Sequence, residues 1–289
     1  MKVLWNEKIV DESEVKIDLE DRGYQFGDGI YEVIRIYDGY MYMEKEHLDR
    51  LWVSAEKIRM TLPFTREELS QRLHRLAKEV GLDNARVYFQ VTRGTVKPRL
   101  HDFPDPKEVQ PVLMADIQPA SRPAAKQNIG IRAGIVEDKR WLHCDIKSIS
   151  LLGNILALDE AQQKGYDEAV LVRDGNVTEA SASNLWMVKD GIIYTHPDSN
   201  LILPGIAKMK IRELTKALGI ELREETFTEK ELLAADECFK TSSVAEVMPI
   251  VEINDHKIGD GMPGKVTKKV LDAYIEAVNL AVQAHRDEK

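Results

Sequence analysis

The chemistry this chain can perform rests first on Lys147 and Glu179. The lysine lies in Trp141-Leu142-His143-Cys144-Asp145-Ile146-Lys147-Ser148, and the glutamate in Val177-Thr178-Glu179-Ala180-Ser181-Ala182-Ser183-Asn184. Arg140-Trp141-Leu142 on one side of Lys147 and Ile149-Ser150-Leu151-Leu152 on the other read as an apolar, strand-like setting. Burying an ammonium there is costly unless it is paired or neutralised. An amine that forms a Schiff base escapes that cost and becomes a covalent catalyst. A carboxylate just past a turn can then hold a cofactor's ring nitrogen protonated. The pair therefore points to pyridoxal phosphate, a cofactor that does the hard chemistry while the protein tunes it. Taken alone, Lys147 would read as a solvated surface charge and Glu179 as a turn residue among Thr178, Ser181 and Ser183. Cys144 reads as a small packing residue rather than a nucleophile.

A phosphate also needs donors. Pro204-Gly205-Ile206-Ala207 leads into a helical pattern, and the free N–H groups at a helix start bind anions. Thr241-Ser242-Ser243 offers hydroxyls and amides, and Arg50, in Glu46-His47-Leu48-Asp49-Arg50, offers a fixed cation. Each of these is by itself an ordinary helix start, turn or helix-surface arginine.

The elements that must position these groups are legible in part. Tyr31 to Tyr37 and Tyr40 to Met43 are strand-like and are separated by Asp38-Gly39, a hairpin signal because both residues tolerate positive φ. Asp174-Gly175 and Asp190-Gly191 mark two more hairpins. Glu44 to Met60 places Leu48, Leu51, Trp52, Ala55 and Ile58 on one helical face. Thr65-x-x-Glu68 opens a helix that stops at Gly81, and Thr228-x-x-Glu231 opens a short one. Further helices are expected from Ile206 to Leu218 and from Lys265 onward. Val112 to Ala115 and Ile129 to Val136 read as strands. The polar, proline-containing stretch Asp116 to Asn128 between them reads as an interdomain linker.

At 289 residues, two domains are expected rather than one. Forty basic against forty-nine acidic residues leave a net charge of -9, without the basic stripe of a nucleic-acid binder. No apolar run is long enough to span a bilayer, and no signal peptide is expected. The two cysteines read as reduced thiols of a cytoplasmic protein. No metal-ligand spacing is present among the scattered histidines, so no metal site is expected.

Asp21-Arg22-Gly23-Tyr24-Gln25-Phe26-Gly27-Asp28-Gly29-Ile30-Tyr31-Glu32, Glu46 to Leu51, the Lys147 segment, Thr178-Glu179 and Leu203-Pro204-Gly205-Ile206 follow one another in this order. Together they resemble the class IV (fold type IV) pyridoxal phosphate-dependent aminotransferases. The resemblance implies a mixed α/β (α+β) fold of two lobes, 1–120 and 121–289. The second would carry the lysine, and the cofactor would lie in the cleft between them. It implies a homodimer whose active sites are shared across the interface. Lys147 matches the Schiff-base lysine and proton shuttle, and Glu179 the pyridinium partner. Arg50, the Ile206 and Ala207 amides, Ser242 and Ser243 match the phosphate cup. Leu203 matches a leucine packed on the cofactor face away from the lysine.

Within that family, Thr92-Arg93-Gly94-Thr95-Val96-Lys97-Pro98-Arg99-Leu100-His101 is similar to the D-amino acid aminotransferases. There an arginine and a histidine of one subunit join a tyrosine of the other to trap the substrate α-carboxylate. Arg99, His101 and Tyr31 match them, and a planar guanidinium suits a carboxylate. The implied reaction is a ping-pong transfer from D-alanine to 2-oxoglutarate, giving pyruvate and D-glutamate. A branched-chain amino acid or (R)-amine transaminase, an aminodeoxychorismate lyase-like enzyme and a non-catalytic pyridoxal phosphate-binding protein are the alternatives. Three positions depart from the family pattern. Ala207 stands for a threonine, Ala182 for a serine, and the loop before Arg99 is one residue longer.

Overall fold

In the computed structural model, which describes residues 1–287, one unit comprises Met1–Ser121 with Ile146–Ser150, and the other comprises the rest of the chain. The first unit holds β1 (Lys2–Trp5), β2 (Lys8–Asp11), α1 (Arg22–Phe26), β3 (Gly29–Tyr37), β4 (Tyr40–Met41), α2 (Glu44–Lys57), α3 (Arg66–Val80), β5 (Ala85–Thr92) and β6 (Val112–Pro119). Its sheet runs β2-β1-β6-β5-β3-β4, with every pairing antiparallel. Asp38 and Gly39 turn β3 into β4 at φ of 47° and 80°, the left-handed geometry that their types allow. Along β3 the side chains alternate, so Ile30, Ile34 and Ile36 enter the core while Tyr31 and Val33 lie on the other face, half-buried. Leu48, Leu51 and Ala55 of α2 join the same core, with Trp52 and Ile58 packed at its edge. The capping box at Thr65 and Glu68 and the left-handed Gly81 bound α3 as its sequence requires.

The second unit holds α4 (Ala124–Ile129), β7 (Ile131–Glu137), α5 (Leu152–Gln163), β8 (Glu168–Arg173), β9 (Asn176–Ala180), β10 (Asn184–Lys189), β11 (Ile192–Thr195), α6 (Ile206–Ala217), β12 (Leu222–Glu224), α7 (Glu229–Leu233), β13 (Glu237–Ser242), β14 (Glu246–Ile253), β15 (His256–Lys257) and α8 (Lys265–Asp287). The sheet order is β12-β11-β10-β13-β14-β7-β8-β9, with β15 on β14. β14, β7 and β8 are parallel neighbours, and so are β11 and β12; the remaining pairs are antiparallel. The hairpins β8–β9 and β10–β11 turn at Asp174-Gly175 and Asp190-Gly191, all four at positive φ. Glu288 and Lys289, part of the charged C-terminus that the helix from about Lys265 is expected to carry, lie outside the described residues. Among the described residues no helix is long and apolar enough to cross a membrane.

Three local expectations need correction. Asp116 to Asn128 is not a free linker: Asp116–Pro119 complete β6, paired with Ala85–Tyr88, and residues 124–128 are helical. The alternation that buries Leu113, Ala115 and Ile117 carries the strand through polar residues on its other face. The run Ile129 to Val136 splits, because Ile129 ends α4 and Gly130 turns the chain at φ 80° before β7. Lys147 lies on an irregular segment rather than a named strand. That segment, Ile146–Ser150, groups with the first unit, although the sequence assigns it to the 121–289 lobe. It follows the start of β3, with Tyr31 N donating to Lys147 O at 3.0 Å, Ile149 N to Gly29 O at 3.1 Å, and Ile30 bridging Ser148. Gly29 permits the approach, since a Cβ there would lie 2.9 Å from Ile149 Cδ1 and 2.7 Å from Val91 O.

Leu51 is fully buried. Leu51→Ala is expected to cost about 2–5 kcal/mol of stability, read as a lowered denaturation midpoint with an unchanged slope.

Candidate active site

In the first unit, Lys147 is half-buried and its Nζ lies 4.3 Å from the centroid of the Tyr31 ring. That is a cation–π distance. Its own N–H donates to Ser54 Oγ on α2 at 3.3 Å, so both β3 and α2 fix the lysine's backbone. Tyr31 also packs on Tyr88, with ring centroids 5.6 Å apart.

Arg50 is buried and forks onto Glu32, Nε to Oε1 at 2.7 Å and Nη2 to Oε2 at 2.8 Å. His47 Nδ1 stands 2.7 Å from Glu32 Oε2. Burial pushes the Glu32 carboxyl up, but the Arg50 charge and the hydrogen bonds from Arg50 and His47 outweigh it and hold Glu32 at about 2. Burial also pushes His47 down against the pull of Glu32. A neutral His47 then donates from Nδ1, and Arg50 carries the counter-charge. Neither Glu32 nor His47 was assigned a role from sequence. The signal was an acidic residue at a core-facing strand position, which has to be paired.

Arg99 and His101 occupy an exposed loop. The Arg99 guanidinium lies 4.3 Å from the Phe26 ring centroid, His101 meets the same ring edge-on at 5.5 Å, and Arg99 Nη1 is 3.4 Å from His101 Nε2. The sequence-predicted pair is thus side by side, oriented by an aromatic ring that sequence reasoning left unassigned.

In the second unit, Glu179 is 5% exposed near the end of β9. Arg140 Nη1 donates to its Oε1 at 2.6 Å, Asn184 Nδ2 to Oε2 at 3.2 Å, and Leu203 N to both oxygens at 3.3 and 3.4 Å. Arg140 is shared with Asp138, which takes its Nε and Nη2, each at 2.9 Å. Asp138 also accepts from Arg173 Nη2 at 3.0 Å and Thr178 Oγ1 at 2.9 Å. The better-partnered Asp138 sits at about 2, where Arg140 and Thr178 outweigh its burial. Burial raises Glu179 to about 7, against the opposing pull of Arg140. Asp138, Arg140 and Arg173 were not found from sequence, although charged residues near an apolar segment were the available signal. Burial likewise lifts the Cys144 thiol to about 11, which fits a packing residue.

Gly205 caps α6 with extended backbone and contributes no side-chain hydrogen bond, while Ile206 and Ala207 are buried behind it. A Cβ on Gly205 would lie 2.0 Å from Asn184 Oδ1, so only glycine allows this approach. The main chain of Leu203 touches both Glu179 and Asn184, whose Nδ2 donates to Leu203 O at 2.8 Å. Ser242 and Ser243 are half-buried in the β13–β14 turn, with Ala245 N donating to Ser242 Oγ at 3.1 Å. Glu246 closes that turn at φ 57°, and its buried carboxylate is held by Arg122 Nε at 2.8 Å and Gln127 Nε2 at 3.1 Å. Ala182 is exposed, whereas Ser181 and Ser183 are buried. A buried carboxylate near neutrality suits a protonated ring nitrogen, and an uncapped helix start suits a phosphate. The donor sets therefore fit pyridoxal phosphate.

Residues 29–253 match the amino-transferase class IV family. The chain is 43% identical over 281 residues to a D-alanine aminotransferase of Listeria monocytogenes, covering 97% of each. It is 45% identical over 273 residues to one of Staphylococcus haemolyticus, covering 94% of this chain and 96% of the relative. Among solved structures, it resembles the branched-chain amino acid aminotransferase of Escherichia coli with a TM-score of 0.88 at 26% identity, covering 95% of this chain and 93% of that one. The T.th. branched-chain enzyme complexed with N-(5'-phosphopyridoxyl)-L-glutamate gives 0.88 at 29% identity, covering 96% and 93%.

A carboxyl raised on folding stabilises the protein below its unfolded value and loses that contribution as pH climbs through its folded value. Glu179 should therefore cost the cofactor-free protein stability as pH rises from about 4.5 to about 7. In melts across pH 4–8, Glu179→Gln should remove up to about 3 kcal/mol of that decline relative to the parent. Parallel curves would show that Glu179 does not titrate in this window.

Proposed function

The chain belongs to the class IV aminotransferase family, and we propose that within it the protein is a D-amino acid transaminase passing the amino group of D-alanine to 2-oxoglutarate. The observation that carries this reading is the near-full-length likeness to D-alanine aminotransferases, at higher identity than to the branched-chain enzymes. The adjacent Arg99 and His101 support it, being suited to a substrate α-carboxylate.

Bound pyridoxal phosphate supplies the electron sink that lets bonds at the substrate Cα rearrange. Lys147 would be the residue that holds the cofactor and moves the proton at the substrate Cα. Tyr31 packs along its side chain and the Ser54 contact fixes its backbone. The buried Glu179 carboxylate would pair with the cofactor's ring nitrogen, and a cation there would favour its ionised form. The α6 amides of Ile206 and Ala207, with Ser242 and Ser243, would hold the phosphate, Arg50 would supply a cation for it, and Leu203 would pack on the ring. Tyr31, with Arg99 and His101 of a second copy, binds the α-carboxylate, so the working unit is a homodimer. The protein acts in the cytoplasm on small amino and 2-oxo acids.

The structural likeness to branched-chain enzymes favours one competing reading, an L-amino acid transaminase. A single half-reaction separates the two. On adding D-alanine, the yellow holoenzyme should lose its visible band as the cofactor takes up the amino group, while L-alanine should leave the band in place. Bleaching by L- but not D-alanine would reverse the stereochemical assignment, and bleaching by neither would remove alanine as a substrate.

A further inference from the structure

Arg22 belongs to α1, yet it reaches the loop that carries Arg99 and His101. It is 3% exposed, and its guanidinium donates to three successive carbonyls of that loop: Nη1 to Leu100 O at 2.7 Å and Asp102 O at 3.2 Å, and Nη2 to His101 O at 3.4 Å. Its Nε donates to Asp28 Oδ2 at 2.8 Å. Asp28 also accepts Arg93 Nε at 2.8 Å and Nη2 at 2.9 Å, and Arg93 is tied to Arg59 O and Ile58 O at 3.0 and 2.8 Å. Phe26 connects this clamp to the substrate groups, with Arg22 Cζ 4.9 Å and Arg99 Cζ 4.3 Å from its centroid. At the far end of the loop, Phe103 packs against Arg93, Arg59 and Arg22 at 4.1, 5.0 and 5.8 Å.

A guanidinium is the one side chain whose planar fork can satisfy a carboxylate and several carbonyls together. Burying it is costly unless those donors are used. The loop it grips is otherwise exposed, and an exposed loop must lose conformational freedom before it can present two side chains to a ligand. We propose that Arg22, held by Asp28, is a positioning residue for carboxylate recognition, fixing the Leu100–Asp102 backbone so that Arg99 and His101 stand ready-oriented. The proposal rests on the reading of Arg99 and His101 as the carboxylate trap.

The test is a double-mutant cycle on the holoenzyme. Arg22→Lys keeps the charge beside Asp28 and loses the fork. It should raise KM for D-alanine about tenfold, preserve kcat and the cofactor's absorption spectrum, and speed amide hydrogen exchange at residues 99–103. In an Arg99→Ala background, the same change should have no further effect on KM. Additive effects in the two backgrounds, a fall in kcat alone, or unchanged exchange in the loop would overturn the proposal. If Arg99→Ala leaves D-alanine binding intact, the trap reading fails by itself, whatever the loop does. Should Arg22→Lys not fold, Phe103→Leu releases the other end of the loop and should shift KM and exchange in the same direction; no shift in either would count against the clamp.

Discussion

A carboxylate taken out of water has to be met by donors, and the second unit is organised around how that requirement is met at Glu179. Arg140 cannot serve Glu179 alone, because Asp138 holds two of its nitrogens. Asp138 is further satisfied by Arg173 and Thr178, so it remains the stronger anion. Glu179 is left with one charged partner, an amide side chain and a backbone N–H, and its proton affinity rises to the neutral range. Such a carboxylate responds strongly to a further cation. The neighbouring structure follows from these contacts. Thr178 ties β9 to Asp138, Asn184 opens β10 between Glu179 and Leu203, and Gly205 gives way to Asn184. The same rule governs Glu168 close by, whose buried carboxylate is met by the Lys240 ammonium and by the Ser181 hydroxyl.

The first unit solves the same problem with the opposite outcome. Glu32 has a full guanidinium fork and a neutral imidazole, so it stays ionised and holds Arg50 rigid. Asp28 does likewise for Arg22 and Arg93. Positively charged side chains are therefore positioned by the buried Glu32 and the half-buried Asp28 before any ligand arrives. This is preorganisation in the physical sense, since the ordering cost falls on folding rather than on binding. Lys147 is placed differently, through main-chain contacts to Tyr31 and Ser54 and an aromatic face.

Much of the fold could be read from local chemistry. The Asp-Gly turns, the capping boxes at Thr65 and Thr228, and the apolar face of α2 each act within a few residues, so each leaves a signature in sequence. Where tertiary pairing decides, local sequence carries no such signature. β6 continues through Asp116 and Gln118 because their neighbours face the core, and composition reported only the polar face. The Lys147 segment looked like an independent strand, but its conformation comes from β3, more than a hundred residues earlier in the chain. Lys147, Glu179 and Arg99-x-His101 stood out because motifs carry them. Asp138, Arg140, Glu32 and Arg22 did not, although Arg22 and Glu32 lie inside a motif, because a buried charge is identified by the partner it meets in the fold, and the sequence does not show which charges pair.

The claim that Lys147 is the residue holding the cofactor is tested most directly by locating the covalent bond. The holoenzyme is reduced with borohydride, digested and examined by mass spectrometry. The phosphopyridoxyl group should be found on the peptide containing Lys147, and Lys147→Ala should yield no labelled peptide under the same treatment. A label on another lysine of the parent protein, or none after reconstitution with pyridoxal phosphate, would contradict the assignment.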